Sequence, residues 1–510
     1  MGRTRRRKRS RERGPSAEKV EKIVQPLWKI PPYEIATEEQ LALIHDKSMQ
    51  ILEEGGIAFY YEPALKILRE HGVRVDEDQV AYFDRDLLME YVKKAPSQFT
   101  WGARNPARNV EIGGNSVCFA PVAGPPYVHD VKRGRRDGTR QDQINFIKLA
   151  QAGKYIHTTG TETCAMTDVA IEHRHLYLVY DHFKYGDKPV MGQYGIGLMA
   201  DDSVGMAEVV FGKERLEAGP VLHGIINVSS PRRLDDRMLS TAISFASRNQ
   251  IIDVTPFILS GAMGPVSILG TVAQLNAEVL SGIAFLQMVR EGAPAVYGSF
   301  QAILDLQSGA PVFGAPESQL ALYLSGQLAR YYDIPFRAAG AYASSKVADT
   351  QGGIEGVMSM FPSLMTRPNF VLHSAGWLES GLTAGYEKFV IDHEMLGMYI
   401  RYMQGVSWDD DEWAMDSIIR DVPPGGHHLG TQYTMDRFRT AFYRAELFDY
   451  DSAETWQANG GHETQARAYN KWNQMLNEEY EQPLLDPAID EALLDYIERR
   501  KPELVPAMFA

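Results

Sequence analysis

Polar and aromatic side chains cluster around the last apolar stretch in the central part of the chain. His373 and Ser374 belong to the run NFVLHSA, which begins at Asn369, and Trp377 and Glu379 follow it in a glycine-rich loop. In open α/β folds and barrels, strands that end in such loops carry the binding and catalytic groups. This set therefore indicates a small-molecule site, provided that the rest of the chain builds the sheet that must position it.

Seven more apolar, β-branched runs precede this one, and each has the length of a core strand. They begin at Val117, Ile156, Pro189, Val221, Ile251, Ala295 and Phe336. Helical patterns separate them at intervals of roughly 30 to 45 residues, as in parallel β-loop-α units. Eight such units in about 290 residues predict an α/β fold of the (β/α)8 TIM barrel type. No glycine-rich phosphate turn follows the first run, which disfavours a doubly wound sheet.

The remaining segments are expected to surround this barrel. Residues 1–18 contain the block RTRRRKRSRER and predict a disordered basic arm, although a contact with an acidic partner is an alternative. Residues 19–112 predict a helical N-terminal layer, residues 113–405 the barrel, and residues 406–510 a helical C-terminal layer packed on it. A capping box at Thr37 and Gln40 starts the first N-terminal helix.

In a barrel, the strand ends converge on one mouth. The mouth residues are Glu162, Gln193, Tyr194, Tyr297, Phe300, Gln301, Tyr342, His373 and Trp377. Such an aromatic mouth suits a cation with no proton to give, because each ring face contributes about 0.5 to 2 kcal/mol. Asp349, Glu355 and Glu379 are further candidates for a counter-charge. The same residues would also be expected if the aromatic rings fill the barrel core and the carboxylates cap helices.

Composition and motifs exclude several function classes. The net charge of −14 disfavours nucleic-acid binding. Cys118 and Cys164 are too few for a disulfide framework, so a reducing cytoplasm is expected. We expect no membrane span, no metal site and no hydrolase elbow, Walker A or CxxC motif, because the apolar runs are short and the required spacings are missing.

Several long motifs occur in an order that resembles one known family. They include NVSSPRRLDDRML from Asn227, SGAMGPVSILGTVAQLNAEVLSGIAFLQ from Ser260, ARYYDIPFRAAGAYASSKVADTQGGIE from Ala329 and HSAGWLESGLTAGYEKFVIDHEMLG from His373. The chain is similar to the trimethylamine methyltransferase superfamily over most of its length. The resemblance implies a TIM barrel that transfers a methyl group from a methylated amine to the Co(I) of a corrinoid on a separate small protein.

The resemblance also narrows the substrate class. Founding members use pyrrolysine to act on trimethylamine, and this sequence contains no such residue. It therefore resembles the non-pyrrolysine branch, which is associated with glycine betaine, proline betaine and carnitine. A quaternary nitrogen already carries its charge, so the departing amine leaves neutral and needs no acid. Holding the methyl group in line and excluding water would then be the main tasks of the protein.

The strand-end pattern and the resemblance together assign roles to the mouth residues. Rings around the ammonium would come from Tyr194, Tyr297, Phe300, Tyr342 and Trp377, while Gln193, Gln301 and His373 would orient a carboxylate tail. Electrostatic or catalytic support would come from Glu162, Asp349, Glu355, Glu379 and His373. Demethylation of trimethylamine or a methoxy compound, and betaine binding without turnover, remain alternatives. Self-association of the chain is also expected.

Overall fold

The computed structural model describes residues 25–509, so the basic arm predicted at residues 1–18 lies outside the described part. The N-terminal part of that range combines helices with small sheets. Its elements are α1 (Glu38–Gln50), β1 (Ile57–Tyr60), α2 (Glu62–Glu70), β2 (Arg74–Val75), β3 (Val80–Tyr82), α3 (Arg85–Val92), β4 (Gln98–Trp101) and β5 (Val110–Gly113). The capping box of Thr37 and Gln40 at the start of α1 is present as predicted.

The N-terminal layer is therefore not helical throughout, because it also contains five short strands. β2 and β3 pair as a hairpin because the Asp76 carboxylate accepts hydrogen bonds from the N–H groups of Asp78 at 3.0 Å and Val80 at 2.9 Å and so fixes the turn. β4 and β5 pair from Gln98↔Gly113 to Trp101↔Val110, and this pairing carries Trp101 into the core.

The central part alternates strands with helices. Its strands and hairpins in chain order are β6 (Cys118–Phe119), β7 (Tyr127–Asp130), β8 (Gly134–Asp137), β9 (Val190–Met191), β10 (Leu222–Val228), β11 (Arg233–Asp235), β12 (Ile251–Ser260), β13 (Ala295–Gly298), β14 (Phe300–Leu304), β15 (Pro311–Val312), β16 (Phe336–Ala338), β17 (Phe370–Val371), β18 (Trp377–Leu378) and β19 (Thr383–Gly385). Its helices are α4 (Arg140–Ala152), α5 (Arg174–Tyr185), α6 (Gly197–Phe211), α7 (Lys213–Ala218), α8 (Asp236–Ser247), α9 (Ile268–Val289), α10 (Pro316–Tyr331), α11 (Thr350–Met365) and α12 (Tyr386–Met403).

Seven of these strands form one parallel sheet, in the order β9-β10-β12-β13-β16-β17-β6. The parallel α/β class is thus confirmed. β14 extends the sheet beyond β13 by pairing with the end of β12, and β15 pairs with β14. The assigned strands do not close into a barrel, so the predicted eight-stranded ring is shown only in part.

The missing member is the run that begins at Ile156. Gly160 there has a φ of +80°, which only glycine adopts readily, and it forms an isolated bridge with Val190. The Thr158 hydroxyl donates to the Pro189 carbonyl oxygen at 2.6 Å and accepts from the Gly160 N–H at 3.0 Å. The Thr158 side chain thus bonds to backbone groups that strand pairing would use. The segment therefore lies at the position of a strand in the sheet without being a regular strand.

A separate four-stranded sheet lies beside the ends of β6 and β17. We call it the cap sheet, and its order is β18-β19-β7-β8. It combines the loop after β6 with the loop after β17, and these two strands are neighbours at one end of the assigned sheet path. Trp377 belongs to its first strand, so the cap sheet positions one of the predicted site residues.

Helix α9 is the most buried helix of the central part. It is long and apolar enough to cross a membrane by length and composition, but 78% of its most apolar window is buried inside the protein. It packs against α1 and α3 of the N-terminal part, against α10, and against β12 and β13. Such burial is typical of a core helix of a large domain.

The C-terminal part is only partly packed on the sheet and its helices. Its helices are α13 (Gln432–Arg437), α14 (Ala453–Ala458), α15 (Thr464–Gln474) and α16 (Pro487–Arg500). α15 packs on α12, where Trp472 Nε1 donates to the Glu387 carboxylate at 3.0 Å. Residues 406–442, which we call the exposed arm, instead leave large apolar side chains in solvent, including Trp408 at 77% and Phe442 at 87% exposure.

Candidate active site

A cavity of about 310 Å³ lies where the parallel strands end. Its walls come from the loops after β6, β9 and β17, from the loop after residues 156–160, from β10, β16 and β18, and from Phe300 at the start of β14. Six of the predicted site residues line it, namely Glu162, Gln193, Tyr194, Phe300, His373 and Trp377. Small enclosed spaces with few convergent polar groups are the usual form of ligand sites.

A larger groove of about 1100 Å³ lies between α1, α9 and α10. It opens on the outer helices, and its lining is mainly apolar, with Lys47, Glu54 and Arg232 spread along it. Size alone favours this groove, but it does not gather polar groups around one point. The strand-end cavity is therefore the better candidate for chemistry.

Five aromatic rings form one wall of the strand-end cavity. Trp377 lies at ring-centre distances of 4.6 Å from His373, 4.7 Å from Tyr342, 5.4 Å from Phe313 and 6.0 Å from Phe300. Tyr342 and Phe313 stand behind the three rings that line the cavity. Such packed rings present both faces and edges at fixed positions, which is what a desolvated cation needs.

The cap sheet holds Trp377 in place. Its indole is 4% exposed, and its Nε1–H makes no hydrogen bond within residues 25–509. Gly381 lies against the ring with a φ of +92°, and a Cβ there would be 2.5 Å from Cζ2 of Trp377. The Glu379 carboxylate accepts from Arg135 Nε at 2.7 Å and from the Thr383 hydroxyl at 2.6 Å. Glu379 thus secures the loop that carries Trp377.

His373 is a neutral hydrogen-bond donor. Its Nδ1 accepts a hydrogen bond from the Ala123 N–H at 3.1 Å, so the ring proton lies on Nε2. Burial, and to a lesser extent the Arg337 guanidinium, lowers the pKa of His373 well below its usual range. The ring therefore cannot serve as a proton source at neutral pH, but its Nε2–H can donate a hydrogen bond.

Glu162 is the acidic side chain of the cavity wall. Burial raises the pKa of Glu162 above its usual range, and the charge of Arg174 only partly opposes this shift. Its backbone carbonyl accepts the Gly124 N–H at 2.8 Å, which fixes the loop after the 156–160 segment against the loop after β6. Burial also raises the pKa of the neighbouring Tyr194, and the charge of Glu162 adds to that shift. An ionised carboxylate here would gain from a cation in the cavity.

Gln193 is held in a fixed orientation on the cavity wall. Its side-chain Nε2 donates to the Thr161 hydroxyl at 3.0 Å, and its backbone N–H donates to the Ser203 hydroxyl at 2.9 Å. The amide oxygen of Gln193 accepts no hydrogen bond within the described residues and remains available to a ligand.

The cavity contains a cationic residue that sequence reasoning missed. Arg337 of β16 lines it although the residue is 1% exposed. Its Nη1 donates to the Ser299 carbonyl oxygen at 2.9 Å, and its Nε lies 3.6 Å from Asp253 Oδ2. Burial raises the pKa of Asp253 to about 6, against the opposing effect of Arg337. The signal in the sequence was a single arginine inside the apolar run FRAAGAY, where a charge is unexpected.

Four predicted binding residues do not line this cavity: Tyr342 stands behind the rings, Glu379 holds the loop of Trp377, and Tyr297 and Gln301 face other parts of the core. Tyr297 is fully buried on the other face of β13, where its hydroxyl donates to Asn276 Oδ1 of α9 at 2.9 Å. Gln301 points away from the rings, and its Nε2 donates to the Ser325 hydroxyl of α10 at 3.2 Å. Side chains alternate along a strand, so Phe300 and Gln301 face opposite sides.

Besides Glu379, two predicted carboxylates lie outside the cavity, and both stabilise the loop before α11. Asp349 is the N-cap of that helix and accepts from the Gly352 N–H at 2.9 Å. Glu355 accepts from the N–H groups of Ser344 at 2.7 Å and Ser345 at 3.2 Å. These bonds explain both carboxylates as structural groups. Only Glu162 remains as a carboxylate of the cavity wall.

Replacing Tyr297 with phenylalanine should therefore lower stability and leave turnover intact. The change removes one buried hydrogen bond and leaves Asn276 Oδ1 without its donor, which costs about 1 to 3 kcal/mol. We expect a lower melting temperature and a kcat/KM within twofold of the original enzyme. A large loss of activity at unchanged stability would place Tyr297 in the site after all.

The chain is similar to known proteins over most of its length. The family described as Trimethylamine methyltransferase (MTTB) matches residues 2–505. A glycine betaine methyltransferase of Desulfitobacterium hafniense (strain Y51) is 40% identical over 93% of this chain and 98% of its own length. A proline betaine:corrinoid methyltransferase of Eubacterium limosum is 28% identical over 80% of this chain and 85% of its own length.

Solved structures give the same relationship at the level of the fold. The monomethylamine methyltransferase of Methanosarcina barkeri has a TM-score of 0.53 to this chain at 10% identity, covering 88% of this chain and 89% of its own. A likeness at this identity concerns the fold alone. The family match over nearly the whole chain goes further, and the chain belongs to the trimethylamine methyltransferase family.

Proposed function

We propose that this protein transfers a methyl group from a quaternary amine, with glycine betaine as the first candidate, to a corrinoid carried by a separate small protein. The observation that carries the proposal is the cavity of about 310 Å³ with a wall of packed aromatic rings and a single, half-buried carboxylate, Glu162. This combination suits a cation that has no N–H to donate. The names of the relatives, glycine betaine methyltransferase and proline betaine:corrinoid methyltransferase, support the same substrate class.

The aromatic wall and Glu162 would bind the ammonium together. Phe300, His373 and Trp377 offer ring surface, and each ring face contributes about 0.5 to 2 kcal/mol to binding a cation out of water. The Glu162 carboxylate supplies the opposite charge, which a desolvated ammonium requires. Binding also restores a partner to Glu162, so substrate and site stabilise each other.

The reaction needs no acid from the protein. The bond between the methyl carbon and nitrogen breaks, its electron pair stays on nitrogen, and a neutral tertiary amine leaves. The Co(I) corrinoid supplies the nucleophile that accepts the methyl group. Neutral His373 agrees with this chemistry because it cannot protonate a leaving group. The work of the chain is then to orient the methyl group and exclude water.

The corrinoid fits the outside of this site and not its interior. A space of about 310 Å³ suits a small amine, whereas a corrinoid ring is far larger. The cofactor would therefore stay on its own protein and approach the mouth at the strand ends. The residues that meet it there would be those of the cap sheet and the loops around Trp377 and Gly195.

The direct test supplies the purified protein with Co(I) cobalamin and one methylated amine at a time. We expect transfer with glycine betaine, proline betaine or carnitine. The change in corrinoid absorbance and the release of the demethylated amine measure this transfer. If methyl transfer occurs with trimethylamine and with none of the quaternary amines, the substrate is trimethylamine and not a quaternary amine. Tight binding of betaine without any transfer would identify a binding protein.

We also propose that the parallel sheet closes into a (β/α)8 barrel through residues 156–160. The His157 N–H donates to the Phe119 carbonyl oxygen at 2.9 Å, the Thr159 N–H donates to that of Pro189 at 3.2 Å, and Gly160 bridges Val190. These bonds support a link between β6 and β9, the two free edges of the assigned sheet. Protection of these amides from hydrogen exchange would test it.

We propose further that the protein is a homo-oligomer of the cytoplasm. The exposed arm supports self-association, because side chains such as Trp408 and Phe442 are unfavourable in water. Light scattering at increasing concentration would test it, and a monomer at all concentrations would contradict it. Cys118 and Cys164 are buried and unbonded, which agrees with a reducing compartment.

A further inference from the structure

Arg337 lies one layer deeper in the sheet than the aromatic wall. In the strand register it pairs with Gly298 of β13 and with Phe370 of β17. Phe300 and His373 follow those partners by two and three residues, and a strand rises about 3.3 Å per residue. The backbone of Arg337 is therefore inward of the rings, and its guanidinium carbon lies 5.2 Å from the centre of the Phe300 ring. The guanidinium thus meets the aromatic wall from its inner side.

This guanidinium is only partly satisfied by the protein. A guanidinium has five N–H donors, of which Nη1 bonds to Ser299, while Nε makes no hydrogen bond within the described residues. Asp253 lies 3.6 Å away, beyond the 2.7 to 2.9 Å of a charged hydrogen bond. A buried cation with free donors in the wall of a cavity favours an anion there, and a carboxylate matches its fork.

The surrounding residues keep the arginine in this position. A Cβ on Gly298 would lie 2.0 Å from Thr255 Oγ1 and 2.4 Å from Asp253 Oδ1, so glycine makes room for both side chains. The Thr255 hydroxyl in turn donates to Asp253 Oδ1 at 2.7 Å. Asp253 is thereby fixed beside Arg337, while its Oδ2 makes no hydrogen bond within residues 25–509.

We propose that Arg337 binds the carboxylate of the methyl donor, which enters carboxylate first and leaves its ammonium among the outer rings. This inference rests on the proposed function and deepens it. It restricts the substrates to zwitterions that carry both a quaternary ammonium and a carboxylate. Cationic donors without a carboxylate, such as choline and tetramethylammonium, would lack the inner contact. The carboxylate role expected for Gln193 and His373 then becomes secondary to that of Arg337.

The test replaces Arg337 with methionine, which keeps much of the side-chain length and removes the charge. Because this leaves Asp253 buried and unpaired, a second variant combines Arg337→Met with Asp253→Leu and removes both charges. Binding of glycine betaine, choline and tetramethylammonium is measured by calorimetry, and methyl transfer is measured with the same three compounds. We expect both variants to lose at least 100-fold in affinity and kcat/KM for glycine betaine, and at most threefold for the two cations.

The outcomes separate this inference from the proposed function. If either variant folds and binds glycine betaine as tightly as the original protein, the proposed contact between Arg337 and the carboxylate is wrong. That result would not contradict the proposed methyl transfer. If all three donors lose affinity equally, Arg337 is a structural residue and the inference is also overturned. If the original protein binds glycine betaine in an Arg337-dependent manner without any transfer, the inference stands and the proposed function falls.

Discussion

Replacing Trp377 with alanine is expected to lower kcat/KM for methyl transfer from glycine betaine at least 100-fold, while the protein remains folded. A lost cation contact of about 0.5 to 2 kcal/mol explains only part of this effect. The indole also fills the space between His373 at 4.6 Å and Tyr342 at 4.7 Å, so its removal admits water and frees the methyl donor to rotate. Stopped-flow absorbance of the corrinoid gives the rate.

Two matched variants control for the loss of a large side chain. Trp413→Ala removes the same ring from the exposed arm, where the residue is 54% exposed, and should leave kcat/KM unchanged. Trp377→Phe retains a ring face and should recover most of the rate. The Trp377→Ala change is expected to lower the free energy of unfolding by about 3 to 5 kcal/mol, which thermal unfolding measures. Near-normal turnover of a folded Trp377→Ala variant would remove the ring from the mechanism.

Replacing Glu162 with glutamine is expected to reduce kcat/KM for glycine betaine by roughly 30- to 100-fold, the loss of about 2 to 3 kcal/mol of charge attraction in a buried site. The two side chains have the same shape, so the aromatic wall should stay intact. Burial already raises the pKa of Glu162, which means that the folded protein disfavours the ionised form. Removal of the charge should therefore leave the melting temperature equal or higher.

The pH dependence gives a second measurement of the same residue. Above its folded-state pKa Glu162 is ionised and attracts the ammonium, and below it the neutral acid does not. The fall in kcat/KM on acidification should therefore begin above the roughly 4.3 of an ordinary glutamate. The ionised form also costs stability, and this cost disappears as the pH falls through the folded-state pKa.

Controls for this prediction come from the carboxylates that the structure assigns to loop stability. Asp349→Asn and Glu355→Gln alter bonds to the N–H groups of Gly352 and Ser344, and they should lower the melting temperature with little effect on KM. The Glu162→Gln profile should lack the acidic limb. An unchanged limb in that variant would assign the titration to another group.

Much of the fold is readable from the sequence because its signals are local. The spacing of apolar runs predicted the parallel sheet, and the capping box at Thr37 marked the start of α1. The run at Ile156 could not be distinguished from a regular strand by its sequence. Its irregular backbone depends on the hydrogen bond from the Thr158 hydroxyl to Pro189, which lies 31 positions further along the chain. Propensity does not contain such contacts.

The strand-end location of the candidate cavity was predictable, and the residues that line it were less so. Strands covered on both faces are apolar throughout, so their sequence does not tell which side chains face the cavity. Tyr297 and Phe300 looked equivalent for that reason, yet one packs on α9 and the other lines the site. Asp349 and Glu162 also looked alike, because a helix cap and a binding carboxylate use the same residue type. Arg337 was missed because an isolated charge has no motif.

The burial of α9 has a consequence for how the chain is made. The ribosome releases residues 268–289 before it has synthesised α10 and β13, against which they pack, so that side of this apolar helix is uncovered for a time. Parallel sheets also form slowly, since each pairing waits for a distant segment. We expect fragments that end between residues 290 and 315 to bind chaperones or aggregate and longer ones past residue 400 to resist protease. Arresting translation at defined chain lengths and measuring chaperone binding and protease resistance of the nascent chains would test this expectation.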